Sequence, residues 1–308
     1  MQGWRKRMED AHIHSVNIGA NKNVDVFGVF DGHGGKEVAQ YVRIHFVEAL
    51  ENNENFKKGD YKAALKENFL RMDEMMRTDD GKAELTQLAK KSKEEDDAQE
   101  ARMGGGQSNQ MDMLMKMLKT KNDDDVALMT GCTSCVCLID HGNKKLYFAN
   151  AGDSRVVLCK KGIAYPMSMD HKPELPEEKN RIYKADGFIT EGRVKGNLNL
   201  SRGLGDLEYK NNTKIPAEEQ MITANPDIKI EELDNDCDFI IIGCDGIWDC
   251  LSNQEACDFV SKRITKTKGN KISPIIEEMM DSIIATDIYN ETGVGCDNMT
   301  CEVIQFIH

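Results

Sequence analysis

Six acids in this sequence stand where a carboxylate does more than meet solvent: Glu9, Asp10, Asp31, Asp153, Asp245 and Asp297. Asp31 and Asp245 each end an apolar run, VDVFGVF and FIIIGC, and each is followed by glycine. Asp153 lies in the turn AGDS and Asp297 in GCDN, while Glu9 and Asp10 follow closely on Arg5. A carboxylate buried at a strand end without a partner costs several kcal/mol, so it is either solvated or bound to a cation. Oxygen ligands without a His/Cys set at zinc spacing select hard cations, Mg2+ or Mn2+. Convergence of Glu9, Asp31, Asp153, Asp245 and Asp297 would place so much like charge together that at least two ions are implied. Spacing alone does not establish that they converge. Asp-Gly is also an ordinary turn dipeptide, and Asp80-Gly81 and Asp186-Gly187, in polar surroundings, read as plain turns. On local sequence alone His33 is a turn histidine with a solvated ring.

The elements that must position these acids are legible as patterns. Short runs rich in β-branched and aromatic residues predict strands at 24–30, 132–140, 145–151, 156–160, 239–243 and 300–307, and the tight turns between several of them predict antiparallel pairing. Val38, Val42, Phe46 and Leu50 share one face of a helix predicted over 36–51, and Leu65, Phe69, Met72 and Met76 do so over 61–77. A short helix is expected at 177–184. Ser252 and Glu255 form a capping box that opens another through residue 264, and Ser273-Pro274 starts one more. Strands dominate the middle and helices flank them, an α+β pattern in one domain over 1–308. The polar, interrupted stretch 161–216 is expected to be a loop-rich lid. In 92–126, like-charge runs and Gly-Gly-Gly predict a poorly ordered insertion. Met111, Leu114, Met115 and Leu118 within it share a helical face, a candidate partner contact.

Forty Lys and Arg against 53 Asp and Glu give a formal charge of −13, which argues against nucleic acid or an anionic membrane as partner. A two-metal nuclease is disfavoured for the same reason, there being no basic track. The ten cysteines are scattered, several inside apolar strands, so buried reduced thiols are expected, and the CxxC of Cys132 and Cys135 reads as strand packing. No apolar signal region and no apolar run of about 20 residues appears. The expectation is an intracellular monomer, cytoplasmic or nuclear. The sequons at Asn211, Asn290 and Asn298 then arise by chance.

The strings QGWRKRMEDAH, VFGVFDGHGG, GCTSC, NAGDSR, DHKP, SRGLGD, FIIIGCDGIWD and GCDNMT, in this order, resemble the signature motifs of the metal-dependent protein phosphatases, the protein phosphatase 2C family. Among its branches the chain most resembles the gamma type, which carries an acidic insert after the second helix. The resemblance implies a four-layer α-β-β-α sandwich of two antiparallel sheets flanked by helices, and hydrolysis of phosphoserine and phosphothreonine in proteins by a metal-bridging water. It implies that Asp31 bridges two Mg2+ or Mn2+ ions, that Asp245 and Asp297 complete the protein ligands of one ion, and that Glu9 and the carbonyl of Gly32 hold the other. Asp10 resembles an outer-shell acid, and Asp153 with Asp245 a weaker third site. Arg5 resembles the arginine that grips phosphate, and His33 the acid that protonates the leaving oxygen. KADGF at 184–188 departs from the family's more usual AGG-type string, which implies a change in substrate choice. The competing reading is a catalytically silent protein of the same fold that binds partners.

Overall fold

The protein, here a computed structural model, is described over residues 1–102, 125–267, 271–287 and 293–307. It opens with the antiparallel pair β1 (Ala11–Ile18) and β2 (Val24–Phe30), then a two-residue strand β3 (Gly32–His33). Helices α1 (Glu37–Asn52), α2 (Glu54–Lys57), α3 (Tyr61–Arg77) and α4 (Asp79–Arg102) follow. The next stretch holds β4 (Gly131–Cys132), β5 (Ser134–Asp140), β6 (Lys145–Ala151), β7 (Arg155–Lys160) and β8 (Ile163–Pro166). After these come α5 (Pro176–Lys184), β9 (Ile189–Thr190), β10 (Arg193–Val194), β11 (Leu204–Gly205) and β12 (Asp227–Glu232). The chain closes with β13 (Cys237–Gly243), α6 (Asp245–Trp248), α7 (Asn253–Thr267), α8 (Ser273–Ile283) and β14 (Cys301–Gln305).

Two antiparallel sheets carry the structure, one ordered β1-β2-β5-β6-β12 and the other β14-β13-β7-β8. Their facing sides share one apolar layer, in which Phe27, Val29, Cys135, Cys137 and Phe148 of the first sheet meet Val156, Leu158, Ile240 and Ile242 of the second. The opposite faces are also buried. Val26, Phe30, Val136 and Leu138 pack under α1 and α3, and Val157, Phe239 and Ile241 pack under α7 and α8. Each central strand is therefore covered on both sides, which is why it reads as an unbroken apolar run and not as an alternation. The result is the four-layer α-β-β-α sandwich expected from the family resemblance.

Two local expectations meet a different outcome. Asp80-Gly81 is not a turn but lies in the first turn of α4, capped by the Thr78 hydroxyl, which accepts the Gly81 N–H at 3.1 Å. Helix α4 does not lose order at Ser92 but runs on to Arg102, with Ser92 buried. Partners from outside offset its acidic run: Lys36 meets Glu95 at 2.5 Å and Arg7 meets Asp96 at 2.7 Å. Residues 103–124, with the Met/Leu face at 111–118, lie outside the described residues. The stretch 161–216 is loop-rich, with α5 its longest element, and it is anchored: Ile182, Val194 and Tyr209 form a small core with Ile222, and buried Glu178 accepts from both Arg181 and Arg202 at 2.7 Å.

Candidate active site

Strand register brings the acids to one end of the sandwich. Ala11, the first residue of β1, pairs with Phe30, the last before Asp31, so Asp10 and Asp31 are neighbours. On the other sheet Gly243, at the end of β13, lies between Arg155 at the start of β7 and Cys301 at the start of β14. Asp245 therefore has Asp153 on one side and Asp297 on the other. Asp31 itself is held by a reciprocal pair: its N–H donates to the Thr133 hydroxyl at 3.1 Å, and the Thr133 N–H donates to its carbonyl at 2.9 Å.

The charges confirm this crowding. Burial, then the charges of Asp10, Asp245, Asp153 and Asp297, pushes the Asp31 carboxyl well above the ordinary carboxylate range. Asp245 is pushed up to about 7, first by burial and then by Asp153, Asp297 and Asp249. Asp10, one of whose oxygens accepts from Thr300 at 2.7 Å while the other is buried without a partner, is raised too. Like charges at such proximity are stable as carboxylates only beside cations, so the cluster fits divalent metal ions. Asp31 and Asp245 offer oxygens within 4.8 Å of each other and of the Cys244 sulfur. That thiol is held protonated by burial and by Asp10 and Asp31, so a hard cation takes the oxygens instead.

Glu9 lies over Gly32. A side chain at residue 32 would put its Cβ 2.3 Å from the Glu9 carbonyl oxygen, so the glycine is required by the passage of the N-terminal segment. Arg5 reaches Asp297 with one guanidinium nitrogen at 2.5 Å and is otherwise largely exposed. Asp153 is held by Lys172. His33 pairs through Nε2 with Asp206, 2.8 Å away. Burial alone would lower its pKa, but Asp206 outweighs this and raises it, which favours the charged ring. Gly131 makes the pair possible, since a Cβ there would stand 2.2 Å from an Asp206 oxygen and 2.7 Å from Nε2.

Every sequence-predicted site residue thus sits at one end of the molecule. Residues that sequence reading missed are Asp206, Lys172, Asp249 and Thr133. All four stand inside the quoted motifs, in SRGLGD, DHKP, FIIIGCDGIWD and GCTSC, but none closes a long apolar run, and the strands beside Asp206 and Thr133 are too short to show in sequence. Asp249, the residue that caps the C-terminal end of α6, is raised by burial, against Lys172, and by Asp153 and Asp297.

A family model described as protein phosphatase 2C matches residues 1–89 and 81–291. The chain is similar to probable protein phosphatase 2C 4 of Paramecium tetraurelia, at 44% identity over 99% of this chain and 89% of that one. To probable protein phosphatase 2C 21 of Arabidopsis thaliana it is 43% identical, over 99% of this chain and 85% of the relative. Among solved structures, a phosphatase from a pathogenic strain of Toxoplasma gondii shares the fold with a TM-score of 0.68 at 22% identity, covering 99% of this chain and 90% of that one.

Proposed function

Because the chain belongs to the protein phosphatase 2C family, and is a metal-dependent serine/threonine phosphatase acting on phosphoproteins, we propose how its own residues divide that reaction. Asp31, Asp245 and Asp297, with Glu9 and the Gly32 carbonyl, would hold two Mg2+ or Mn2+ ions, and Asp153 with Asp10 would serve a weaker third ion and the outer shell. When bound, the ions neutralise the phosphate and supply a water of lowered pKa as the nucleophile. Arg5 has donors to spare beyond its contact with Asp297, and its planar fork orients the phosphate oxygens. The P–O bond to the serine or threonine would break as the oxygen of that water, its proton given up to solvent, bonds to phosphorus, and the departing oxygen would take a proton from His33. With Nε2 occupied by Asp206, Nδ1 is the nitrogen that delivers it. Asp206 fixes the ring and favours its charged form, as the carboxylate does in other Asp-His pairs.

The observation that supports this division is the acid cluster itself, with Asp31 and Asp245 both lifted by their neighbours' charge. No acid of the set is replaced, so nothing favours the silent alternative. The free cysteines, most of them buried, support a reducing, intracellular setting. The test is hydrolysis of a phosphothreonine peptide with Mn2+. EDTA, Asp31→Asn and Asp245→Asn are each expected to abolish it, and turnover that survives EDTA would overturn the assignment.

A further inference from the structure

The segment that carries Arg5 and Glu9 lies in no sheet or helix, residues 1–10 being turns, bends and irregular chain, and it is tied on at Trp4, whose N–H donates to the Cys296 carbonyl at 3.1 Å, and at Arg7, which meets Asp96 of α4. Three more of its backbone groups converge on one side chain. The Asn298 Nδ2 donates to the Gln2 carbonyl at 2.7 Å and to the Arg7 carbonyl at 2.9 Å, while its Oδ1 accepts the Glu9 N–H at 2.8 Å. Both amide hydrogens and one acceptor position are thus committed, in a residue only 6% exposed. The Asn298 backbone N–H donates to Asp297 Oδ1 at 2.7 Å, and Arg5 takes Oδ2 at 2.5 Å. Arg5 lies between the two carbonyls that Nδ2 holds. The Asn-Met-Thr sequon that begins here is therefore a structural knot and no glycan acceptor.

We propose that Asn298 is a positioning residue of the phosphatase reaction, the hub that fixes Arg5 and Glu9 against Asp297. This rests on the roles given to Arg5 and Glu9 above. The chemistry of the hub asks for a carboxamide: an aspartate lacks the donors for two carbonyls, and alanine leaves two carbonyls and an N–H without their partner. The Asn298 side chain spends both amide hydrogens and an acceptor position on the segment's backbone, so its loss acts through the residues it holds.

A double-mutant cycle with Arg5 tests the idea on a phosphothreonine peptide at saturating Mn2+. Asn298→Ala is expected to raise KM about tenfold, the loss of one hydrogen bond to a charged group. In an Arg5→Ala background the same change should alter KM less than about twofold, since the grip it serves is already gone. Multiplicative effects would overturn the hub while leaving the phosphatase reading intact, whereas an inactive parent enzyme would sink that reading first. Two readouts need no turnover. Hydrogen exchange is expected to rise in residues 2–9 and stay unchanged in β2, and Mn2+ affinity by calorimetry is expected to weaken through Glu9. Unchanged exchange in 2–9 would equally overturn the proposal. Should the alanine variant not fold, Asn298→Ser, which retains a hydroxyl for one of the partners, carries the same cycle.

Discussion

A histidine that donates a proton to an alkoxide must hold that proton at the working pH and present it on the correct nitrogen, and for the acid role proposed for His33 Asp206 acts toward both, raising the ring's pKa and occupying Nε2. His33→Ala is expected to lower kcat on a phosphothreonine peptide by about 10²–10⁴, the usual worth of general-acid catalysis. On an aryl phosphate, whose leaving group departs without protonation, the loss should be much smaller. Asp206→Asn should reproduce that leaving-group dependence more weakly, and the double variant should be no worse than His33→Ala, because the two residues act as one unit. Steady-state kinetics on the two substrates decide it: equal losses on both would remove His33 from the acid role. What was readable from sequence here follows from local context. Asp31 and Asp245 announce themselves because a carboxylate closing an apolar strand is conspicuous within a dozen residues. Asp206 does not, because its partner stands 173 residues away and only the β3, β4 and β11 contacts bring the two together. Asn298 reads as a chance sequon for the same reason, since its three partners all lie near the other end of the chain.

Strands and helices were legible wherever one segment carried its own pattern. The capping box is observed as read, with the Ser252 N–H donating to Glu255 at 2.9 Å and the Glu255 N–H donating back to the Ser252 hydroxyl at 3.3 Å. The predicted strand at 132–140 is broken after Cys132, because the Thr133 N–H bonds to Asp31 and leaves the ladder. Helix α4 was misread because ion pairs from Lys36 and Arg7, distant in sequence, settle it, whereas the loop-rich 161–216 stretch is tied together by its own pairs, Glu178 with Arg181 and Arg202. The second of these carries a prediction of its own. Burial would lift Glu178, but Arg202 and Arg181 outweigh it and hold the carboxyl below its ordinary range. His171 and Arg202 hold Asp227 low as well. Acids held low in the fold contribute stability that is complete above about pH 4 and is lost as pH falls through their folded values. Glu178→Gln leaves two buried guanidinium groups short of a counter-charge, which is expected to cost about 3–5 kcal/mol at neutral pH. Urea denaturation should show a lower midpoint at pH 7 and a shallower decline below pH 4 than the parent protein shows. Midpoints that match at pH 7 would mean the network contributes nothing net.

At the scale of the molecule, the chain carries a net −13, with the acids of the site gathered at one end and an apolar layer between the sheets. A negative protein handles phosphate there only because cations intervene, so charge and metal dependence are two sides of one arrangement. The inner layer has one exception. Along β14, Ile304 and Phe306 pack into it, and Glu302, on the same face, points in with them. One Glu302 oxygen is buried without a partner, and burial pushes the carboxyl up to about 8, with only the Gly28 backbone N–H opposing the shift. An unfolded glutamate loses its proton near pH 4.3, so between about pH 4.3 and 8 the folded chain holds a proton that the unfolded chain has released. Stability from this group therefore falls as pH rises through that window and levels off above it. Glu302→Gln keeps the shape and the neutral form at every pH. It is expected to come within about 1 kcal/mol of the parent near pH 5, where the loss has only begun, and to exceed it at pH 9 by up to a few kcal/mol, the upper bound set by the size of the shift. Urea unfolding of both proteins at the two pH values measures this directly. Taking the difference between variant and parent at each pH cancels the acids of the metal end, which titrate in both. Parallel stability curves would show that water reaches the Glu302 carboxylate between the sheets and that the inner layer is not closed at that strand.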